Sequence, residues 1–244
     1  MKFIRLLPLT TGLLLVLLLG TGPSADASSG FKTIGHSVKD RPIRALRLGD
    51  PNAPFKVLVV GSIHGDERQG VRVVKRLRKY NRRGIKGVEF WTIKTTNPDG
   101  LARGTRKNAR GVDLNRNFPY RFDPDLNGGY NSGPKPASEP ETRAVMRLTR
   151  KVDFDLAIWY HQPWGMTLAP CNRDHRWAKL YARLSGLDSD RGCDHGYYPG
   201  SAISWQHHTF GMTAFVVEFG PGVQPRPTIK RHARAVVGLA RRMR

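Results

Sequence analysis

Phe55-Lys56-Val57-Leu58-Val59-Val60-Gly61-Ser62-Ile63-His64-Gly65-Asp66-Glu67 carries a continuous apolar run directly into two metal-capable side chains. Runs like Phe55–Val60 belong to strands buried on both faces of a mostly parallel sheet. Beyond them Val71, Val74 and Leu77 recur at helical spacing with basic residues on the other face, so residues 67–80 read as a helix. His64 and Glu67 therefore fall three apart where a strand hands over to a helix. A loop histidine and a first-turn glutamate can converge there on one ion. Catalytic zinc takes three protein ligands, often two histidines and a carboxylate, and keeps a fourth position for water. The His-Glu-x-x-His signature is absent. On its own, H-x-x-E also describes a solvated polar turn.

The outline continues in the same alternating way. Val38 and residues 42–48 flank Lys39-Asp40 as a strand–turn–strand opening, and residues 88–94 make a further strand. Asn97-Pro98-Asp99-Gly100 reads as a turn. Ser138-Glu139-Pro140-Glu141 reads as a capping box with proline in the first turn, opening a helix to about Lys151. Strands follow at 154–160 and 213–219, and helices at 176–184 and 228–243. Strands alternating with helices predict an α/β domain: a single mixed, largely parallel twisted sheet with helices on both faces.

Lys2 and Arg5 precede an unbroken apolar stretch at residues 13–19, and Ala25-Asp26-Ala27 gives a small-x-small cleavage pattern. Residues 1–27 thus read as a secretory signal peptide, leaving one domain at 28–244. The apolar stretch falls short of the ~20 residues a bilayer span needs, so no membrane attachment is expected after cleavage. The formal charge is +22. Eight basic residues and no acidic one lie between Arg72 and Lys86, and a second basic cluster closes the chain at 230–244. Such a field attracts polyanions. For an exported protein an anionic cell-wall polymer or an acidic substrate fits better than nucleic acid, and a merely soluble basic face fits as well. Cys171 and Cys193 could pair in an oxidising compartment, adding roughly 3 kcal/mol by loop closure.

His64, Asn97, His161 and Glu218 each fall at or near the end of an expected strand, where open α/β sheets build their sites. Glu218 closes the buried run Phe215-Val216-Val217. A glutamate there is costly unless it is paired or functional, and on these residues alone a structural pairing with an arginine is the preferred explanation.

With these residues placed, the chain resembles the zinc carboxypeptidase family, the carboxypeptidase A-like enzymes, and within it the compact bacterial branch that includes murein peptide amidases. The matching stretches are Gly61 to Glu67, Asn97-Pro98-Asp99-Gly100, Gly111-Val112-Asp113-Leu114-Asn115-Arg116-Asn117-Phe118 and Ser138-Glu139-Pro140-Glu141-Thr142, with His161 and Glu218 at their strand ends. The resemblance implies one zinc ion per chain held by His64, Glu67 and His161. Asp113 would fix the tautomer of His64. Zinc would lower the pKa of water towards ~7, and Glu218 would act as general base. Arg106, with Arg103 as runner-up, would face the developing oxyanion, where a donor is worth ~3–4 kcal/mol. Asn115 and Arg116 would hold a free terminal carboxylate, and Tyr197 or Tyr198, with Tyr198 preferred, would cover it.

The Gly200-to-Trp205 stretch resembles the family's specificity pocket and contains no carboxylate, which disfavours C-terminal Lys or Arg. The family's cis peptide after its third ligand is expected at Gln162–Pro163. The leading expectation is a secreted, monomeric zinc metallocarboxypeptidase acting on peptides or muropeptides with a free carboxylate. Alternatives are a murein peptide amidase cleaving the D-glutamyl–diaminopimelate bond, a zinc-dependent N-acyl amino acid deacylase, and a wall-binding module with a dead site.

Overall fold

The computed structural model describes residues 30–81, 84–126, 129–170, 173–190 and 198–244. The expected leader, both cysteines and Tyr197 lie outside the described residues. In chain order come β1 (Phe31–His36), β2 (Pro42–Gly49), β3 (Phe55–Val60), α1 (Gln69–Tyr80), β4 (Val88–Ile93), α2 (Pro98–Arg103), a 3-10 turn (Leu114–Arg116) and α3 (Pro140–Val152). β5 (Leu156–His161), β6 (Met166–Leu168), α4 (Arg173–Ser185), β7 (Asp188–Ser189), α5 (Ala202–Phe210), β8 (Thr213–Glu218) and α6 (Arg226–Met243) follow. No described helix is long and apolar enough to cross a membrane.

The described strands form one mixed sheet in the order β1-β2-β4-β3-β5-β8-β6-β7. Its centre, β4-β3-β5-β8, is parallel, and β1 and β2 extend it antiparallel. This is the expected α/β architecture. The two-residue period of a strand splits each central run between two cores. Val57, Val59, Ile158 and Val217 face α1, α4 and α6, whereas Leu58, Val60, Trp159 and Val216 face α3 and α5. Burying each such side chain is worth ~1.5–3 kcal/mol, so both helical layers are held by the same strands.

Two local expectations change. Asn97-Pro98-Asp99-Gly100 opens the short helix α2 instead of a free turn, because the Asn97 side chain accepts the Gly100 N–H at 2.8 Å. Ser138 is not a helix cap. Its hydroxyl accepts from Asn117 and donates to Glu139, which is the true N-cap residue of α3. Glu141 instead accepts the Val38 N–H from the β1–β2 turn, so the would-be box ties α3 to other segments.

Candidate active site

The parallel strands end together on one edge, and the site is assembled there. β3 runs out into Gly61 to Glu67, and this loop presses against α2. A Cβ on Gly65 would lie 1.9 Å from the Gly100 carbonyl carbon, so only glycine permits that approach. His64 is thereby fixed beside Glu67, and both are buried. His161 ends β5, and Glu218 is its register partner at the end of β8.

His64 turns Nδ1 toward Glu67 Oε1 at 2.8 Å, and His161 Nδ1 lies 2.8 Å from Glu67 Oε2. The ligand atoms of His64, Glu67 and His161 all fall within 4.8 Å of one another. Two imidazole nitrogens and one carboxylate aimed at a common point form a donor set that zinc accepts. His64 Nε2 sits 3.0 Å from Asp113 Oδ1, an arrangement that leaves Nδ1 free for a metal. Asp113 itself accepts from the Asn115 N–H and from Arg106 Nε, each at 3.0 Å.

Charge keeps this cluster ionised. Burial works against each group, but the two histidines hold Glu67 well below the usual carboxylate range. His64 and Arg106 do the same for Asp113. Burial likewise lowers His64, yet Glu67 and Asp113 outweigh it and raise the imidazolium to about 9. Glu218 behaves in the opposite way. Burial pushes its carboxyl above the ordinary value, the nearby Glu67 adds to the rise, and His161 partly offsets it. It accepts a backbone N–H from Trp164, while its Oε2 makes no hydrogen bond to the described residues.

Arg106, Asn115, Arg116, Tyr198 and Glu218 join the three ligand residues around one cleft of about 310 Å³. Arg106 reaches Glu67 through Nη1 at 3.1 Å, and Asn97 supports it by donating to its carbonyl oxygen. Arg103 does not line the cleft and donates to the Asn108 carbonyl oxygen instead. Asn97, although at a strand end, is a buried support and not a lining residue. Asn115 accepts the Ala202 N–H at 3.0 Å, which locks the 3-10 turn onto the start of α5. Gln162–Pro163 is cis, as expected.

Two cleft residues escape sequence reading. Tyr130 stands over Arg116, whose guanidinium lies 4.7 Å from its ring centre and 4.9 Å from that of Tyr198. Trp164 sits at the mouth, half exposed. Neither carries a local signal, since both are loop residues placed by tertiary contacts.

Residues 27–233 match the zinc carboxypeptidase family. The chain belongs to that family. Within the zinc carboxypeptidase family, His64, Glu67 and His161 are its candidate zinc site. It is 30% identical over 163 residues to murein peptide amidase A of Escherichia coli (strain K12), covering 61% of this chain and 64% of that protein. It is 35% identical over 167 residues to the carboxypeptidase N catalytic chain of Mus musculus, covering 52% and 36%. The crystal structure of murein-tripeptide amidase from Escherichia coli O157 superimposes with a TM-score of 0.66 at 25% identity, over 87% of this chain and 92% of that one. The chain spans less than two thirds of the length of these curated relatives.

Proposed function

We propose that this protein is a secreted metallocarboxypeptidase that hydrolyses the last amide bond of peptides bearing a free terminal carboxylate. One observation carries the reading: Arg116 lines the same cleft as the three ligand residues and Glu218. A cation held by the 3-10 turn, opposite a buried carboxylate base, suits a substrate whose end is anionic. Arg116 presents a planar fork that can take both oxygens of that carboxylate, with Asn115 beside it. Tyr198 stacks on Arg116 and covers the bound end.

Zinc at His64, Glu67 and His161 would supply Lewis acidity and bring water within reach of deprotonation near neutral pH. Glu218, its carboxyl raised by burial, takes the proton of the attacking water and returns it to the departing amine. Arg106 faces the oxygen on which negative charge develops. Leu168, Ile203 and Val216 give the cleft an apolar wall, which favours an apolar or small terminal side chain.

A second reading, hydrolysis of wall-derived muropeptides, draws support from the likeness to murein peptide amidase A and to the murein-tripeptide amidase structure. Mass spectrometry of products from a peptide library, purified muropeptides and N-acyl amino acids, with and without a zinc chelator, separates these readings. Chelator-sensitive loss of single C-terminal residues supports the carboxypeptidase. Cleavage confined to muropeptides supports the amidase, and cleavage confined to N-acyl amino acids supports a deacylase. No cleavage by zinc-loaded protein overturns all three.

A further inference from the structure

The outer surface of α1 and α6 carries charge of one sign. α1 has five basic residues and no carboxylate, and residues 226–244 have seven and none. Both helices bury an apolar stripe against the sheet, so Lys75, Lys79, Lys230, Arg231 and Arg234 turn outward and are exposed. Among the described residues, no ion pair uses a side chain of either helix. Lys75 and Lys79 are four apart on one helix, as are Lys230 and Arg234, so each pair repels. A surface selected for solubility alone would intersperse the signs.

Where α6 meets α4, Lys230, Arg231 and Arg234 line an open groove of about 370 Å³ with Leu184 and Pro227. Arg231 lies over Gly186, where a Cβ would come 2.5 Å from its Nη1. Cations four apart on a helix repeat about every 6 Å, which suits a ligand that repeats its own charge along a chain. Residues 226–244 include no Phe, Tyr or Trp, and α1 has a single aromatic side chain, Tyr80 at its last position. A row of platforms on which successive single-stranded bases could stack is therefore missing from both helices. Both helices follow cleft residues in the chain: α1 begins two residues after Glu67, and α6 eight residues after Glu218. Arg72 ties α1 to the connecting loop through the Gln224 carbonyl oxygen at 2.6 Å.

We propose that the α1–α6 face docks a linear, base-free phosphodiester polymer of the polyol-phosphate kind and so holds the enzyme on an anionic wall. The wall setting rests on the export reading above, but the surface lies outside the cleft and its test does not depend on catalysis. Binding of labelled poly(glycerol phosphate) to the purified protein is followed by fluorescence anisotropy over a range of salt. Lys75→Gln/Lys79→Gln/Lys230→Gln/Arg234→Gln should lose at least about tenfold in affinity and flatten the salt dependence. Its hydrolysis of a short neutral peptide should match that of the parent. Lys39→Gln/Arg121→Gln/Lys135→Gln/Lys151→Gln, equal in charge and placed elsewhere, should lose less than about threefold.

Equal losses from the two sets would mean a diffuse field and overturn the proposal. So would tighter binding of DNA or of phosphatidylglycerol vesicles through the same residues. Lysine acetylation of the parent protein, read by mass spectrometry, gives an independent check if the first set misfolds. The polymer should protect Lys75, Lys79 and Lys230 and leave Lys135 reactive, and uniform protection would likewise overturn it.

Discussion

His64 and His161 meet Nδ1 to Nδ1 at 3.1 Å, with Glu67 Oε1 set 2.8 Å from the first and Oε2 2.8 Å from the second. Lone pairs gathered this closely repel unless a cation stands among them. Without metal, a proton fills that role, since Glu67 and Asp113 overcome burial and raise His64 to about 9. Zinc must displace that proton. Zinc affinity, measured by competition with a chromophoric chelator from pH 6 to 9, should rise about tenfold per unit as the single proton is shed. A flat profile would contradict this exchange.

Asp113→Asn removes the charge on the far side of His64 and one partner of Arg106. Zinc affinity should fall by about 10- to 100-fold, the usual cost of losing such a partner. The same chelator competition reads the loss.

Glu218→Gln should bind zinc normally and lose turnover by at least about a hundredfold, because the proton acceptor is gone while the ligands remain. In the parent enzyme burial raises the Glu218 carboxyl, so kcat/KM should decline with acid from a pH above the usual carboxylate range. The decline follows because the protonated acid cannot accept the water's proton. Retained activity in Glu218→Gln would remove Glu218 as the base.

Arg116→Lys keeps the charge but loses the fork that spans two carboxylate oxygens. KM for a free-carboxylate peptide should rise by at least about tenfold with a smaller change in kcat. Comparing free and C-terminally amidated substrates checks the role, because the preference for the free acid should shrink in the variant.

His232 is fully buried on α6, where its Nδ1 lies 2.9 Å from the Tyr181 hydroxyl. Burial, helped by Arg231, lowers its imidazolium to about 3 from 6.5. Between those values the unfolded chain binds a proton that the folded chain refuses, so stability falls as pH drops through that window. The slope contributed is about 1.4 kcal/mol per unit. Denaturant melts of chelated parent and His232→Gln, from pH 7 to 4, should show a shallower acid loss in the variant.

The strands read from sequence are those whose apolar runs are long enough to declare themselves, β3, β5 and β8 above all. β6 and β7, at three and two residues, offer no period to detect. α5 has no clear apolar face, since its apolar residues bunch at Ala202, Ile203 and Trp205 ahead of four polar ones; its signal is the Ser201 cap, which accepts the Ser204 N–H. Asn97 was readable as a capping residue, yet its Pro-Asp-Gly sequel favoured a turn. In the site, His64 and Glu67 are legible from their spacing after a buried strand, whereas the places of Asp113 and Arg116 come only through the resemblance of the Gly111-to-Phe118 stretch to the family. The choice between Arg103 and Arg106 is not legible, since it depends on which side chain reaches Glu67. Tyr130 stacks on Arg116 from a separate loop, and nothing near it in the chain announces that contact.

The pairing of His161 with Glu218 in the β5–β8 register has a mechanical meaning. Adjacent strands stand ~4.8 Å apart by backbone hydrogen bonding, so the spacing between a ligand and the base is the pitch of the sheet itself. No hinge lies between them. Heat or denaturant can separate the two only by tearing the centre of the sheet, so the distance between this ligand and the base should persist until global melting, whatever the loops that carry the other cleft residues do.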